Sequence, residues 1–355
     1  MSYIDCQLKD AIELAYGKSL PARNRKEGTV PVYGSGGIGG YHNVPLVEGP
    51  GIVIGRKGTV GSVYFEKNDF FPIDTVYFVR PKEEVITLEY AYYLLKNLPL
   101  ASLNSDAAVP GLNRDRAYSL PVRLPSLEQQ GQVVKVLSQY DDLIENNRRR
   151  IRLLEETAHL LYREWFVYLR FPGHEQVKIT DGVPHGWTKE PLENLLVLQR
   201  GFDLPVSKRV EGEVPIYAST GINGFHNTAK VKGPGVVTGR SGSLGTVMYV
   251  AKDFWPLNTA LWVKEFKKAS PLFATFLLRA MKLEGYNGGA AVPTLNRNDV
   301  HSVDVLCPEQ RLMKEFEDQV ENIFKQVDKL KEYNEKLTQA RDLLLPKLMS
   351  GELIV

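Results

Sequence analysis

One feature constrains this chain more than any other: it repeats itself once, at long period. PVYGSGGIGGYHN at Pro31–Asn43 returns as PIYASTGINGFHN at Pro215–Asn227. GPGIVIGRKGTVGSV at Gly49–Val63 returns as GPGVVTGRSGSLGTV at Gly233–Val247, and FFPIDT at Phe70–Thr75 as FWPLNT at Phe254–Thr259. The offset is 184 residues in these blocks, and 19 of the 34 positions of Val30–Val63 are identical in Val214–Val247. AAVPGLNR at Ala107–Arg114 returns as AAVPTLNR at Ala290–Arg297, now offset by 183. Solenoid units run about 20–50 residues, so this period describes one domain duplicated once. A chain of 355 residues has room for two such domains.

Within each copy, β-branched and aromatic runs at Gly51–Gly55, Ser62–Glu66 and Thr75–Val79 predict strands bounded by glycine turns. A helix is predicted at Leu88–Lys96, matched by Pro271–Met281. After each copy the period changes. Leu137, Tyr140, Ile144, Asn147, Ile151, Leu154, Ala158, Leu161 and Trp165 are spaced alternately three and four apart, a heptad seam interrupted by Asn147. A second seam runs through Val320, Ile323, Val327, Leu330, Asn334, Leu337, Leu344 and Leu348, interrupted by Arg341. No proline or glycine falls in Gln132–Phe171, whereas Pro346 is expected to perturb or end the second helix. The fold predicted is α+β with a pseudo-twofold internal repeat. Two related globular domains, residues 1–125 and 172–308, are separated by two long helices, residues 126–171 and 309–355, forming an antiparallel coiled coil. The alternative is that each helix packs only on its own domain. The run Arg148–Arg150 with Arg152 reads as a solvated helix face, with contact to phosphate or a partner as the lesser reading.

Several chemistries are argued against. Gly34–Gly39 fits the spacing of a dinucleotide-binding loop, but Pro45 and Pro50 follow where its helix should begin, and the second copy has ASTGIN there. Cys6 and Cys307 are too few for a disulfide framework or a cysteine zinc site, and neither His42 nor His226 has a second ligand at metal spacing. No Pro-Pro pair is present, so the proline-paired loop of amino-methyltransferases is missing; no Pro-Asp pair is present either, which weighs against the common nuclease signature. Neither a leader peptide nor a membrane span is expected, which points to a cytoplasmic protein with reduced thiols. The net charge of +2 neither demands nor excludes nucleic acid.

What remains is a duplicated set of polar side chains in glycine-rich loops. Arg56, Lys57 and Thr59 match Arg240, Ser241 and Ser243; Asn113 and Arg114 match Asn296 and Arg297. Ser35 and His42 match Ser219 and His226, with Asn223 in the second copy where the first has Gly39. Arg23, Arg25 and Lys26 precede the first copy's blocks, and Lys208 and Arg209 the second's. Arginine and asparagine suit bidentate contacts with guanine and adenine, and backbone amides of glycine loops suit phosphate, so these are the candidate DNA-binding residues. The competing reading is a structural turn whose arginine braces a neighbouring group.

With these blocks in view, the chain resembles the specificity subunit of type I restriction–modification systems. The duplicated blocks carry the resemblance, together with LPSLEQQ at Leu124–Gln130, LLYREWF at Leu160–Phe166 and LLPKLMSGEL at Leu344–Leu353. The resemblance implies two target-recognition domains that each read half of a split, asymmetric DNA site. It implies spacer helices that set the half-site separation and dock two modification subunits, alongside restriction subunits. It also implies no catalysis and no cofactor in this chain, with S-adenosylmethionine, ATP and magnesium on the partners. Base reading is expected where the copies diverge: Lys57 against Ser241, Gly39 against Asn223, and Asn97–Asp106 against Leu283–Gly289. The readings outside this family are a stand-alone DNA methyltransferase or nuclease, and a duplicated protein-binding scaffold.

Overall fold

The run Gly51–Gly55 is apolar at successive positions rather than alternate ones, which for a strand means that both faces are covered. The computed structural model, which describes residues 3–103, 111–288 and 292–354, bears this out in each of two compact units. The first is Met1–Asn147 with Glu332–Val355, and the second is Arg148–Lys331.

In the first unit β1 (Tyr3–Gln7) leads through the short helix α1 (Leu8–Ala11) into β2 (Ile12–Tyr16). Then come β3 (Val30–Gly34), β4 (Gly37–His42), β5 (Gly51–Gly55), β6 (Val63–Glu66), β7 (Phe71–Pro72), β8 (Val76–Pro81), α2 (Leu88–Asn97), α3 (Arg114–Tyr118) and β9 (Pro121–Pro125). The long helix α4 (Leu127–Tyr162) follows. An antiparallel four-stranded sheet runs β2-β8-β5-β6, and a three-stranded sheet runs β4-β3-β7 with β3 and β7 parallel. On β5, Ile52 and Ile54 face the core that holds Tyr90, Ala91, Leu94 and Leu95 of α2. Val53 faces the other way, into a cluster with Tyr33, Phe70, Val76 and Phe78. The repeated glycine that opens this strand is dictated by approach: a Cβ on Gly51 would lie 2.5 Å from the Phe70 ring. Thr87 starts α2 by accepting from the Tyr90 amide at 3.3 Å.

The second unit holds β10 (Ile179–Thr180), β11 (Val183–Pro184), β12 (Thr188–Pro191), β13 (Leu196–Arg200), β14 (Val214–Ala218), β15 (Gly221–His226), β16 (Gly235–Gly239), β17 (Val247–Val250), β18 (Trp255–Pro256) and β19 (Ala260–Phe266). It continues with α5 (Pro271–Ala280), α6 (Arg297–His301), β20 (Asp304–Cys307) and the helix α7 (Gln310–Ser350), whose last turns belong to the first unit. Sheets β13-β19-β16-β17 and β15-β14-β18 repeat the first unit's topology strand for strand, and β12-β20 repeats β1-β9. The packing repeats as well. Val236 and Val237 face opposite clusters, and a Cβ on Gly235 would lie 2.6 Å from Phe254.

Each unit includes a stretch of both long helices, paired antiparallel. In the first, Leu137 and Val133 of α4 share a core with Leu345, Leu348 and Met349 of α7. Ile144 is buried and Leu337 half-buried. Asn147 Nδ2 donates to Asn334 Oδ1 at 3.0 Å, and Asn334 Nδ2 to the Ile144 carbonyl at 3.3 Å. The interruption at Arg341 is answered by Asp141, whose Oδ1 lies 2.5 Å from Arg341 Nη1 while its Oδ2 accepts from the Tyr93 hydroxyl of α2 at 2.7 Å. In the second unit Ile151 and Leu154 pack with Val327 and Leu330. Leu161 and Ile323 flank the larger core, where Phe316 is ringed by Tyr162, Trp165, Phe166 and Phe276.

Two expectations about the helices are corrected. Pro346 neither ends nor breaks α7, which continues to Ser350 because Leu348 and Met349 beyond it are buried in the first unit's core. The seam there passes through Leu345, which is buried, with Leu344 half-buried beside it. Among the described residues, no helix is long and apolar enough to cross a membrane.

Candidate nucleic-acid interface

The glycine turn after β5 is fixed by its own backbone. The amides of Arg56 and Lys57 both donate to the Thr75 carbonyl, at 2.9 and 3.1 Å, and the Arg56 carbonyl accepts from the Leu112 amide at 2.8 Å. The second unit repeats this: Arg240 and Ser241 donate to Thr259 at 2.9 and 3.1 Å, and Leu295 donates to Arg240 at 2.8 Å. Three sequence blocks far apart in the chain, Gly-Arg-x-Gly, Pro-Ile/Leu-Asp/Asn-Thr and Leu-Asn-Arg, therefore meet at one place in each unit. Ser35 joins them, since its carbonyl accepts from Ser62 Oγ at 2.6 Å within the same turn, and Thr59 is exposed beside it.

The arginines are held by more than the turn. Arg56 Nη2 donates to the Asp74 carbonyl at 2.6 Å, and Arg240 Nη1 to the Asn258 carbonyl at 3.2 Å. In the first unit the guanidinium of Arg56 lies 5.3 Å from the Tyr16 ring centre and that of Arg114 lies 5.2 Å from it. Tyr16 packs edge-on to Tyr77 at 5.0 Å. Burial pushes the Tyr77 hydroxyl up to about 12, and it donates to the Leu112 carbonyl at 3.2 Å. The outcome is a half-exposed cationic surface on an aromatic base, suited to phosphate or to a guanine edge.

Asparagine at the Leu-Asn-Arg block has a structural task in both units. Asn113 Oδ1 accepts from the amides of Asp115 and Arg116, capping α3, and Asn296 Oδ1 accepts from Asn298, capping α6. Their Oδ1 acceptors cap helix N-termini, and both asparagines stand exposed beside the half-exposed Arg114 and the exposed Arg297. Each capped helix is tied to the sheet below it. The Leu14 amide donates to the Tyr118 hydroxyl at 2.8 Å, and the Leu198 amide to His301 Nε2 at 2.8 Å. Burial holds His301 below the ordinary imidazole value of 6.5, consistent with the neutral ring that this contact requires.

A second group forms on the β3–β4 hairpin and its copy. Arg25 Nη1 donates to the Gly39 carbonyl, and Arg209 Nη1 to the Asn223 carbonyl, each at 2.6 Å. Asn223 Oδ1 also accepts from Arg209 Nη2 at 3.0 Å. His42 and His226 are buried, and each accepts a backbone amide at Nδ1, from Lys26 and Val210 at 3.0 Å. These imidazoles brace the strand entry rather than face outward. Ser219 is buried as well; Arg23, Lys26, Lys57, Lys208 and Ser243 are exposed, and Ser241 half-exposed. Residues 104–106 and 289 of the divergent stretches, and residues 107–110, 290 and 291 of the repeated Ala-Ala-Val-Pro block, lie outside the described residues.

Sequence reasoning missed three groups. Tyr16 ends a strand whose copy has arginine at that place, so no repeated block pointed to it. Asp141 stands off the apolar seam. Gln130 is fully buried at the start of α4, where it accepts from the Thr87 amide at 2.9 Å and donates to the Val85 and Pro125 carbonyls. The Leu-Pro-Ser-Leu-Glu-Gln-Gln block carried that signal, as a polar residue at a helix position facing the core.

Residues 4–156 match the family described as the type I restriction modification DNA specificity domain. Over 337 residues the chain is 26% identical to the type I restriction enzyme MjaIX specificity subunit of Methanocaldococcus jannaschii, spanning 86% of this chain and 78% of that protein. It is 20% identical over 389 residues to the HindI specificity subunit of Haemophilus influenzae, spanning 82% and 84%. Its fold is that of the S subunit of the type I restriction–modification system from M. genitalium, with a TM-score of 0.59 at 16% identity over 98% of this chain and 96% of that one. Sequence repeat, doubled sheet topology and paired helices agree with these likenesses to the specificity subunits of type I restriction–modification systems.

Proposed function

We propose that this specificity subunit reads a bipartite, asymmetric DNA site, one unit to each half-site, and presents it to enzymes bound alongside. One observation carries the reading. In each unit the same three loops converge on arginines at the surface, while the side chains around those arginines differ between units. A shared frame with unlike tips is what two related readers of two different sequences require. Catalysis lies in partner subunits, and the chain works within a type I restriction–modification complex. In this reading two modification subunits carry S-adenosylmethionine, restriction subunits use ATP and magnesium, and the assembly acts in the cytoplasm. The paired helices serve as the ruler, with the Asn147–Asn334 contact fixing their register.

The ruler is tested by lengthening both helices together. Glu155 and Lys331 pair across α4 and α7 at 3.6 Å. Inserting seven residues after Glu155 and seven before Lys331 keeps the heptad phase and adds about 10 Å of helix. Duplexes selected by the reconstituted complex should then carry the same half-sites with a spacer longer by about three base pairs. An unchanged spacer would refute the ruler.

A further inference from the structure

The two units keep one frame and change what stands on it at one register position. Tyr16 closes β2 opposite Tyr77 of β8; at the same place Arg200 closes β13 opposite Leu261 of β19. Tyr16 is 50% exposed, with Arg56 and Arg114 against its ring. Arg200 is equally open, at 52% of its side chain, and is linked to the matched Arg240 through Asp203 and Asn258. The acidic neighbour differs too. In the first unit Arg56 meets only the main-chain carbonyl of Asp74, and Ser19 stands at the position where the second unit has an aspartate. In the second unit Asn258 replaces Asp74, and Asp203 lies 3.8 Å from Arg200 while accepting from the Asn258 amide. With Lys57 of the same turn counted against Ser241, the first set is Arg56, Lys57, Arg114 and Asp74, and the second Arg200, Arg240, Arg297 and Asp203. Each carries a formal charge of +2, so the two surfaces differ in the kind of group they offer and where it stands.

These differences change what each surface offers a base. The Tyr16 ring seats two guanidinium groups and stays half exposed beside them. Arg200 has no ring at its position and adds a third planar fork of donors, a group matched to the O6 and N7 acceptors of guanine. We propose that Tyr16 and Arg200 are specificity-determining residues: each sets the base preference of its own half-site, and Arg200 imposes a guanine requirement that the Tyr16 half-site lacks. The inference rests on the reading of the chain as a DNA specificity subunit.

The test is selection from randomised duplexes by the complex reconstituted with its modification subunits, comparing the natural chain with Tyr16→Arg, Tyr16→Phe and Arg200→Tyr. Arg200→Tyr should lower the preference for guanine at one position of one half-site by about tenfold or more. Tyr16→Arg should raise guanine preference in the other half-site, and Tyr16→Phe should leave the arginine-read bases in place. Spacer and opposite half-site should not change in any variant. A uniform loss of affinity with the selected bases unaltered would assign the pair to phosphate contact and overturn the inference. So would altered bases in both half-sites at once. If the natural chain itself enriches no sequence, the specificity reading fails, an outcome distinct from failure of the residue assignment. Circular dichroism melts of each variant confirm that the fold is retained.

Discussion

Breaking the charged contact inside the coiled coil tests whether polar interruptions of an apolar seam act as locks. Arg341 and Asp141 are 13% and 28% exposed, and their 2.5 Å contact is shared with the Tyr93 hydroxyl on one side and Asp342 on the other. Burial pulls the Arg341 pKa down, but hydrogen bonds to Asp141 and Asp342 outweigh it and leave it raised. At a charge separation of about 4 Å and an effective dielectric of about 20, the attraction is about 4 kcal/mol. Desolvation of both groups offsets much of that, leaving a coupling of about 1–3 kcal/mol. Arg341→Met should cost more than the coupling itself, about 2–4 kcal/mol, because Asp141 is left with one neutral donor. Native-state hydrogen exchange on residues 137–147 and 332–345, in the single variants and in Arg341→Met with Asp141→Asn, gives the coupling as a double-mutant cycle. A coupling below about 0.5 kcal/mol would refute the lock and return the pair to the class of surface ion pairs.

Three further outcomes are expected. His301 has a depressed pKa in the folded chain, so its contribution to stability is present above about 6.5 and lost as pH falls through the folded value. All four tryptophans lie in the second unit, so urea unfolding read by their fluorescence should lose stability on acidification from pH ~7 to ~5, with a smaller slope in His301→Gln; equal slopes would contradict the assignment. Phe316→Ala empties the centre of an aromatic ring of neighbours and should cost about 3–5 kcal/mol in that assay, and a cost under about 1 kcal/mol would mean the site collapses without a cavity. Arg56→Ala and Arg240→Ala should each weaken DNA binding at matched salt by about 1–3 kcal/mol; unchanged affinity would leave them as turn braces only.

What was legible in the sequence follows from what repeats and what alternates. The duplicated blocks are frame residues: glycines set by close approach, such as Gly51 and Gly235 against a phenylalanine ring, and backbone carbonyls that order turns. Matching them located both units and all three converging loops. The seam was legible because helix pairing imposes its period on side chains, and Asn147 and Asn334, one on each seam, meet across it. Side-chain roles were less legible. Asparagine at the Leu-Asn-Arg block suits a base edge and a helix cap equally, and the cap shows only once the backbone amides of α3 and α6 are in place. The buried His42 and His226 match each other for the same reason as the glycines, as bracing within the frame. Tyr16 was hidden because its function lies in differing from Arg200, and comparison of copies rewards sameness. Pro346 misled because its local cost is real, yet the burial of Leu348 and Met349 outweighs it.

The most direct measurement of the central claim is the sequence enriched from random duplexes by the natural chain assembled with its modification subunits. Two unlike half-sites separated by a fixed number of unspecified base pairs is the result predicted. A single continuous motif, a palindrome, or no enrichment at all would contradict it.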